Sequence, residues 1–216
     1  MGKRIKAKSA VLLLVVFMTM TCFSFGVNAA GNGKWVEDSK GWTYQTGDSC
    51  YKNQWAQIGG KWYYFDSEGY MESSCYRDGY WLTGSGAWDP KYSHGTWKKN
   101  DTGWWYQDGS WYPKSEWLKI NGKFYYFNDK GYMESSCYRD GRWLTSSGAW
   151  DTRYSNGMWK SNSTGKWYQD GSWYPRNQGL WIDGEYYEFD EAGYLKENNS
   201  SGDNETDIIE LPFVPV

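Results

Sequence analysis

Histidine is almost absent from this chain, with His94 standing alone among 216 residues. Its counterpart one internal period on is Asn156. A lone imidazole in a solvated turn, replaced by an amide in the sister copy, carries no general base. Leucine, isoleucine and valine are also scarce, so an ordinary aliphatic core cannot be assembled. There is no excess of basic charge: 23 Lys and Arg face 26 Asp and Glu, a net charge of −3. That balance argues against nucleic acid, whose binding requires phosphate neutralisation. No nucleophile–base pair, no metal-spaced His/Cys set and no carboxylate pair outside the repeats is found, and nothing points to a cofactor.

What is abundant is flat side chains and glycine, with 17 Trp, 20 Tyr and 26 Gly. A shortage of aliphatics often marks disorder, but here the aromatics recur on a strict period of 62 residues. Gly33–Met71, Gly95–Met133 and Gly157–Leu195 align without a gap, so that Trp35, Trp97 and Trp159 are equivalents. A fixed period is the signature of a repeat architecture. Within each period, turn pairs such as Asp108-Gly109, Asn121-Gly122 and Asp140-Gly141 separate aromatic runs. Such pairs tolerate positive φ at both central positions, as the type I′ hairpin turn demands. Each period therefore divides into three hairpins of about 20 residues. A lone hairpin is marginal in water, so stability must come from stacking against neighbours. The expected fold is all-β, a solenoid of stacked hairpins.

The ends differ from the array. Residues 1–29 read as a signal peptide, with Lys3, Arg4, Lys6 and Lys8 ahead of an apolar run beginning at Val11. The pattern Val27-Asn28-Ala29 places cleavage before Ala30. Roughly 187 residues then remain, with 19 basic against 26 acidic residues and a net charge of about −7. The repeats occupy residues 30–195. Residues 196–216 form a polar, acidic linker that ends in an apolar, proline-containing run. Its last nine residues are either a flexible extension or a strand pairing with an array edge. Cleavage leaves Cys50, Cys75 and Cys137, an odd number. Cys75 and Cys137 are period equivalents, so stacking holds them a full repeat apart and no bridge between them is expected.

The ring spacing is the motif with chemical content. Trp55 and Trp62, Trp97 and Trp104, and Trp117 and Phe124 are each seven residues apart around a turn. Such rings leave opposite strands of one hairpin and can face each other across it. Alternation puts Phe124 and Tyr126 on one face and Tyr125 and Phe127 on the other. One face serves stacking; the other can line a slot for a quaternary ammonium.

TWKKNDTGWWYQDGSWYP followed by WLKINGKFYYFNDKGYM resembles the choline-binding repeats of Gram-positive cell-wall proteins. The resemblance extends over nearly all of Gly33–Leu195. It implies three hairpins per superhelical turn, and ligand sites between consecutive hairpins built from two Trp-type rings, a Tyr of the next unit and a nearby Met. Carried onto this chain, the candidates are Trp55, Trp62, Met71, Trp97, Trp104, Trp117, Phe124, Tyr125 and Met133. Cys75 and Cys137 stand where the family often has the next Trp, so incomplete cages are expected at those junctions. The middle of the array is expected to bind and its ends to cap. The resemblance further implies a secreted, non-catalytic protein attached to choline-bearing teichoic acid on the cell wall. Two alternatives remain: a glucan- or carbohydrate-binding module, since sugars also stack on Trp and Tyr, and an accessory subunit of a cell-wall hydrolase.

Overall fold

The computed structural model describes residues 33–196; the expected signal peptide and nearly all of the C-terminal tail lie outside the described residues. Between them the chain forms a row of antiparallel hairpins. The first joins β1 (Lys34–Asp38) to β2 (Gly41–Thr46), with a short β3 (Ser49–Cys50) on its edge. The second and third are β4 (Gln54–Ile58) with β5 (Lys61–Phe65), and β6 (Cys75–Arg77) with β7 (Tyr80–Leu82). The second copy repeats them as β8 (Thr96–Lys99) with β9 (Trp104–Gln107), β10 (Glu116–Ile120) with β11 (Lys123–Phe127), and β12 (Cys137–Arg139) with β13 (Arg142–Leu144). Two more follow, β14 (Met158–Ser161) with β15 (Lys166–Gln169) and β16 (Gln178–Ile182) with β17 (Glu185–Phe189). The fold is an all-β solenoid of hairpins.

Turn chemistry sets five of these hairpins as two-residue loops with positive φ demand, whereas β8–β9 and β14–β15 close over four residues. Gly59-Gly60, Asp78-Gly79, Asn121-Gly122, Asp140-Gly141 and Asp183-Gly184 all take positive φ at both central positions. The expectation fails at Asp108. That residue is buried and bonded both ways to Trp111, so the loop is Gly109-Ser110 with positive φ at Gly109 alone, the type II′ pattern. Asp108 is kept inside because its carboxylate accepts from Tyr76 Oη at 3.2 Å and from the backbone N–H of His94. Asn156 makes the same backbone contact to Asp170, which explains why the side chain at this position varies.

Neighbouring hairpins are held by one backbone bond each and by rings. After each second or third hairpin the chain turns back and a single residue bridges to the strand before it. Met71 N–H donates to Trp42 O, Trp88 to Trp62 O, Met133 to Trp104 O and Trp150 to Phe124 O, at 2.7–2.8 Å. Successive copies are joined by short parallel pairings, β6 with β10 and β12 with β16. The cores repeat as well. Tyr76 of the first copy is buried together with Tyr106, Leu118, Ile120 and Phe127 of the second, with Trp97 and Tyr125 packed against them. Aliphatics supply only a minority of this volume, as the composition requires.

Cys75 and Cys137 are free thiols, buried in separate hairpins. Phe127 is fully buried. Its truncation to Ala should destabilise the array by about 3–5 kcal/mol, read as a lower urea midpoint, whereas Lys123→Ala on the exposed turn should change it little.

Candidate aromatic cleft

Strand register decides which rings meet. In the second hairpin Trp55 lies opposite Tyr64, and Trp62 opposite Gln57. Trp55 and Trp62 are therefore diagonal neighbours on one face, not directly opposed as their spacing suggested; the two-residue loop shifts the partner by two. Ala56, Ile58, Tyr63 and Phe65 point to the other side, into a core with Trp35 and Tyr44. That leaves the Trp55 face for the next unit.

The third hairpin completes it. Its Asp78-Gly79 turn puts Tyr80 at the start of β7, where its ring meets Trp55 at 5.7 Å and Trp88 at 5.5 Å, both edge-on. Trp88 is fixed by its backbone bond to Trp62 and its bridge to Leu82. Trp55, Trp62, Tyr80 and Trp88 thus line an open cleft of about 230 Å³. Beneath it Trp55 and Trp88 rest on Tyr64, Cys75 and Leu82. The cleft lies at the Cys75 junction, where an incomplete cage was expected. Cys75 serves as floor, and the further walls come from Tyr80 and Trp88, which the ring-spacing argument did not nominate. A signal was present: SGAW recurs at Trp88 and Trp150 on the 62-residue period.

Charge around the cleft favours a cation. Asp78 Oδ2 accepts from Trp55 Nε1 at 3.2 Å, which orients the indole and sets a carboxylate at its edge. The adjacent guanidinium, Arg77, is paired beneath it: it covers the Tyr64 ring at 4.2 Å and donates twice to buried Glu72, at 2.9 and 2.6 Å. Lys119 Nζ reaches the same carboxylate at 3.1 Å. Burial, helped by Glu72, pushes the Cys75 thiol up to about 12, so the floor is neutral. Among the described residues no group of three or more His, Cys, Asp or Glu could hold a metal ion, and no helix is long and apolar enough to cross a membrane.

The remaining candidates are placed elsewhere. Trp97 and Tyr125 face the core and pack edge-to-face at 4.9 Å. Met71 and Met133 pack against core clusters and fill the space beside Gly86 and Gly148, where φ is positive and a Cβ would overlap them. Trp104 is exposed, with Lys99 Nζ 5.5 Å from its ring. Trp117 and Phe124 occupy the positions of Trp55 and Trp62 in the second copy, and Trp150 that of Trp88. Tyr80, however, becomes Arg142, whose guanidinium lies 5.3 Å from the Trp117 ring and 5.2 Å from the Trp150 ring. The open four-ring cleft thus belongs to the first copy, not to the middle of the array.

Residues 53–71 and 115–133, the equivalent segment of each of the first two copies, match the family described as a putative cell wall binding repeat. No curated protein matches the chain. Among solved structures, the modular autolysin LytC from Streptococcus pneumoniae is 27% identical over 77% of this chain and 39% of its own, with a TM-score of 0.28. Choline binding protein F from Streptococcus pneumoniae, solved in the presence of a peptidoglycan analogue, is 24% identical over 76% of this chain and 57% of its own, with a TM-score of 0.25. The match therefore spans less than two thirds of either protein.

The buried floor is directly testable through its sulfur. Cys137 is pushed up to about 12 by burial in the same way as Cys75. At pH 8 both thiols are protonated almost entirely, and iodoacetamide should modify Cys50 at least about tenfold faster than either. Peptide mapping of the labelled protein reads the three rates, and denaturant should equalise them.

Proposed function

We propose that this protein attaches to choline-bearing teichoic acid on a Gram-positive cell wall, holding the quaternary ammonium between Trp55, Trp62, Tyr80 and Trp88. The observation that carries the reading is the open cleft with four ring walls and a carboxylate at its rim. A methylated ammonium has no hydrogen to donate, so it gains nothing from a polar pocket; it is held by ring faces. The second copy supports the reading, because its equivalent rings already hold a positive charge. The cell wall binding repeats supply the polymer context. The role is attachment without turnover, by an exported, wall-associated protein.

Magnitudes fit such a role. Each ring contributes about 0.5–2 kcal/mol to a cation, which after ordering costs leaves a site of about millimolar affinity, near −4 kcal/mol. A polymer carrying many identical head groups compensates by keeping the local concentration high. Free choline should therefore release wall-bound protein at millimolar concentration.

The test is a titration of intrinsic tryptophan fluorescence with choline. A saturable change is expected, weakened at least about tenfold by Trp55→Ala and left intact by Trp104→Ala. Parallel titration with glucan oligomers discriminates the carbohydrate reading: saturation with glucan and none with choline overturns the proposal.

A further inference from the structure

The first two copies carry the same slot with two exchanges, one aromatic for aromatic and one that changes the charge. Trp55, Trp88 and Asp78 of the first copy correspond to Trp117, Trp150 and Asp140 of the second, and Trp62 corresponds to Phe124. The supports are kept too. Trp117 Nε1 donates to Asp140 Oδ2 at 2.7 Å, and Trp150 N–H donates to Phe124 O at 2.8 Å. Arg139 covers Tyr126 at 4.5 Å and donates to Glu134, as Arg77 does to Glu72. Against this constancy the residue opening the following strand changes from Tyr80 to Arg142. The aromatic wall is replaced by a cation that reaches two rings at once.

We propose that Arg142 occupies the second slot as a built-in ligand and closes it to external cations, so that position 80/142 decides which copies of the array bind. The guanidinium has no ion-pair or hydrogen-bond acceptor among the described residues, so the rings are what hold it there. A planar guanidinium is weakly hydrated and stacks readily on indole, which suits it to this place better than an ammonium. An incoming methylated ammonium would lose the tyrosine wall and meet a like charge at the same ring faces. It must displace a tethered group, which competes for the rings at an effective concentration of about millimolar or higher.

The third copy makes a related exchange beside a core ring. Where the second copy has Trp104, it has Lys166, whose ammonium lies 4.2 Å from the Trp159 ring. Chain cations thus stand at two ring clusters whose sister copies carry an aromatic residue at that position.

This inference rests on the cation reading of the first slot, and one experiment separates the two. Indole N–H signals of the full chain are followed by NMR during titration with tetramethylammonium, assigned through single Trp→Phe variants. In the unaltered protein the Trp55 signal should shift and those of Trp117 and Trp150 should stay still. Arg142→Tyr should bring Trp117 and Trp150 into the titration, with a midpoint within about tenfold of that at Trp55. Arg142→Gln, which removes the charge without adding a ring, should give a weaker but measurable response there and guards against misfolding of the Tyr variant. Tyr80→Arg should silence Trp55. Shifts at Trp117 and Trp150 in the unaltered protein, at the same midpoint as Trp55, overturn the inference and leave the cation reading standing. Silence at every indole in all variants overturns the cation reading, and the inference with it.

Discussion

Everything in this array depends on one repeated contact between hairpins that are neighbours in sequence. The tryptophan opening each copy reaches the second hairpin of that copy, edge-to-face on a tyrosine and stacked on a phenylalanine. Trp35 meets Tyr63 at 5.0 Å and Phe65 at 5.9 Å; Trp97 meets Tyr125 at 4.9 Å and Phe127 at 5.9 Å; Trp159 meets Tyr187 at 4.8 Å and Phe189 at 6.0 Å. A chain poor in aliphatics has little else with which to exclude water. Rings also bring directional preference, favouring offset and T-shaped approach over a flat sandwich. The hairpins are thereby fixed in orientation, and not merely collapsed onto one another. Because one face of each second hairpin is committed to that contact, alternation leaves the other face for the next unit, and the cleft arises there.

Slot and core are therefore made of the same side chains, distinguished only by register. Tyr63 and Tyr64 are adjacent and chemically identical, yet one packs on Trp35 and the other backs Trp55. The difference between them is a rotation of half a pleat. For the same reason a single exchange, tyrosine for arginine at the start of β13, alters what a slot can hold without disturbing its frame.

The period, the turn pairs and the alternation of the aromatic triplets made the solenoid legible from the residues alone, because each is a local property of the strand. Trp55 and Trp62 were legible in the same way. Trp97 and Tyr125 were not separable from them, since seven-residue spacing around a turn does not say which face looks inward; that is set by the neighbouring hairpin. Tyr80 and Trp88 escaped notice because they reach the cleft from another hairpin and from a turn, at sequence distances no local pattern encodes. Asp108 was misread as a turn residue because Asp-Gly is a strong turn signal. Two partners remote in sequence, Tyr76 and His94, instead hold it in the sheet and push the loop one residue on.

The joins between copies carry a mechanical corollary. Among the described residues, copy is sheet-bonded to copy only through the two-residue parallel pairings, Cys75 and Tyr76 with Lys119 and Ile120, and Cys137 and Tyr138 with Trp181 and Ile182. The first of these is also clasped by Lys119 on Glu72, whereas the second has Trp181 where that lysine stood. The two joins are thus unequal: tension along the row loads a seam between the second and third copies that lacks the cross-copy ion pair of the first.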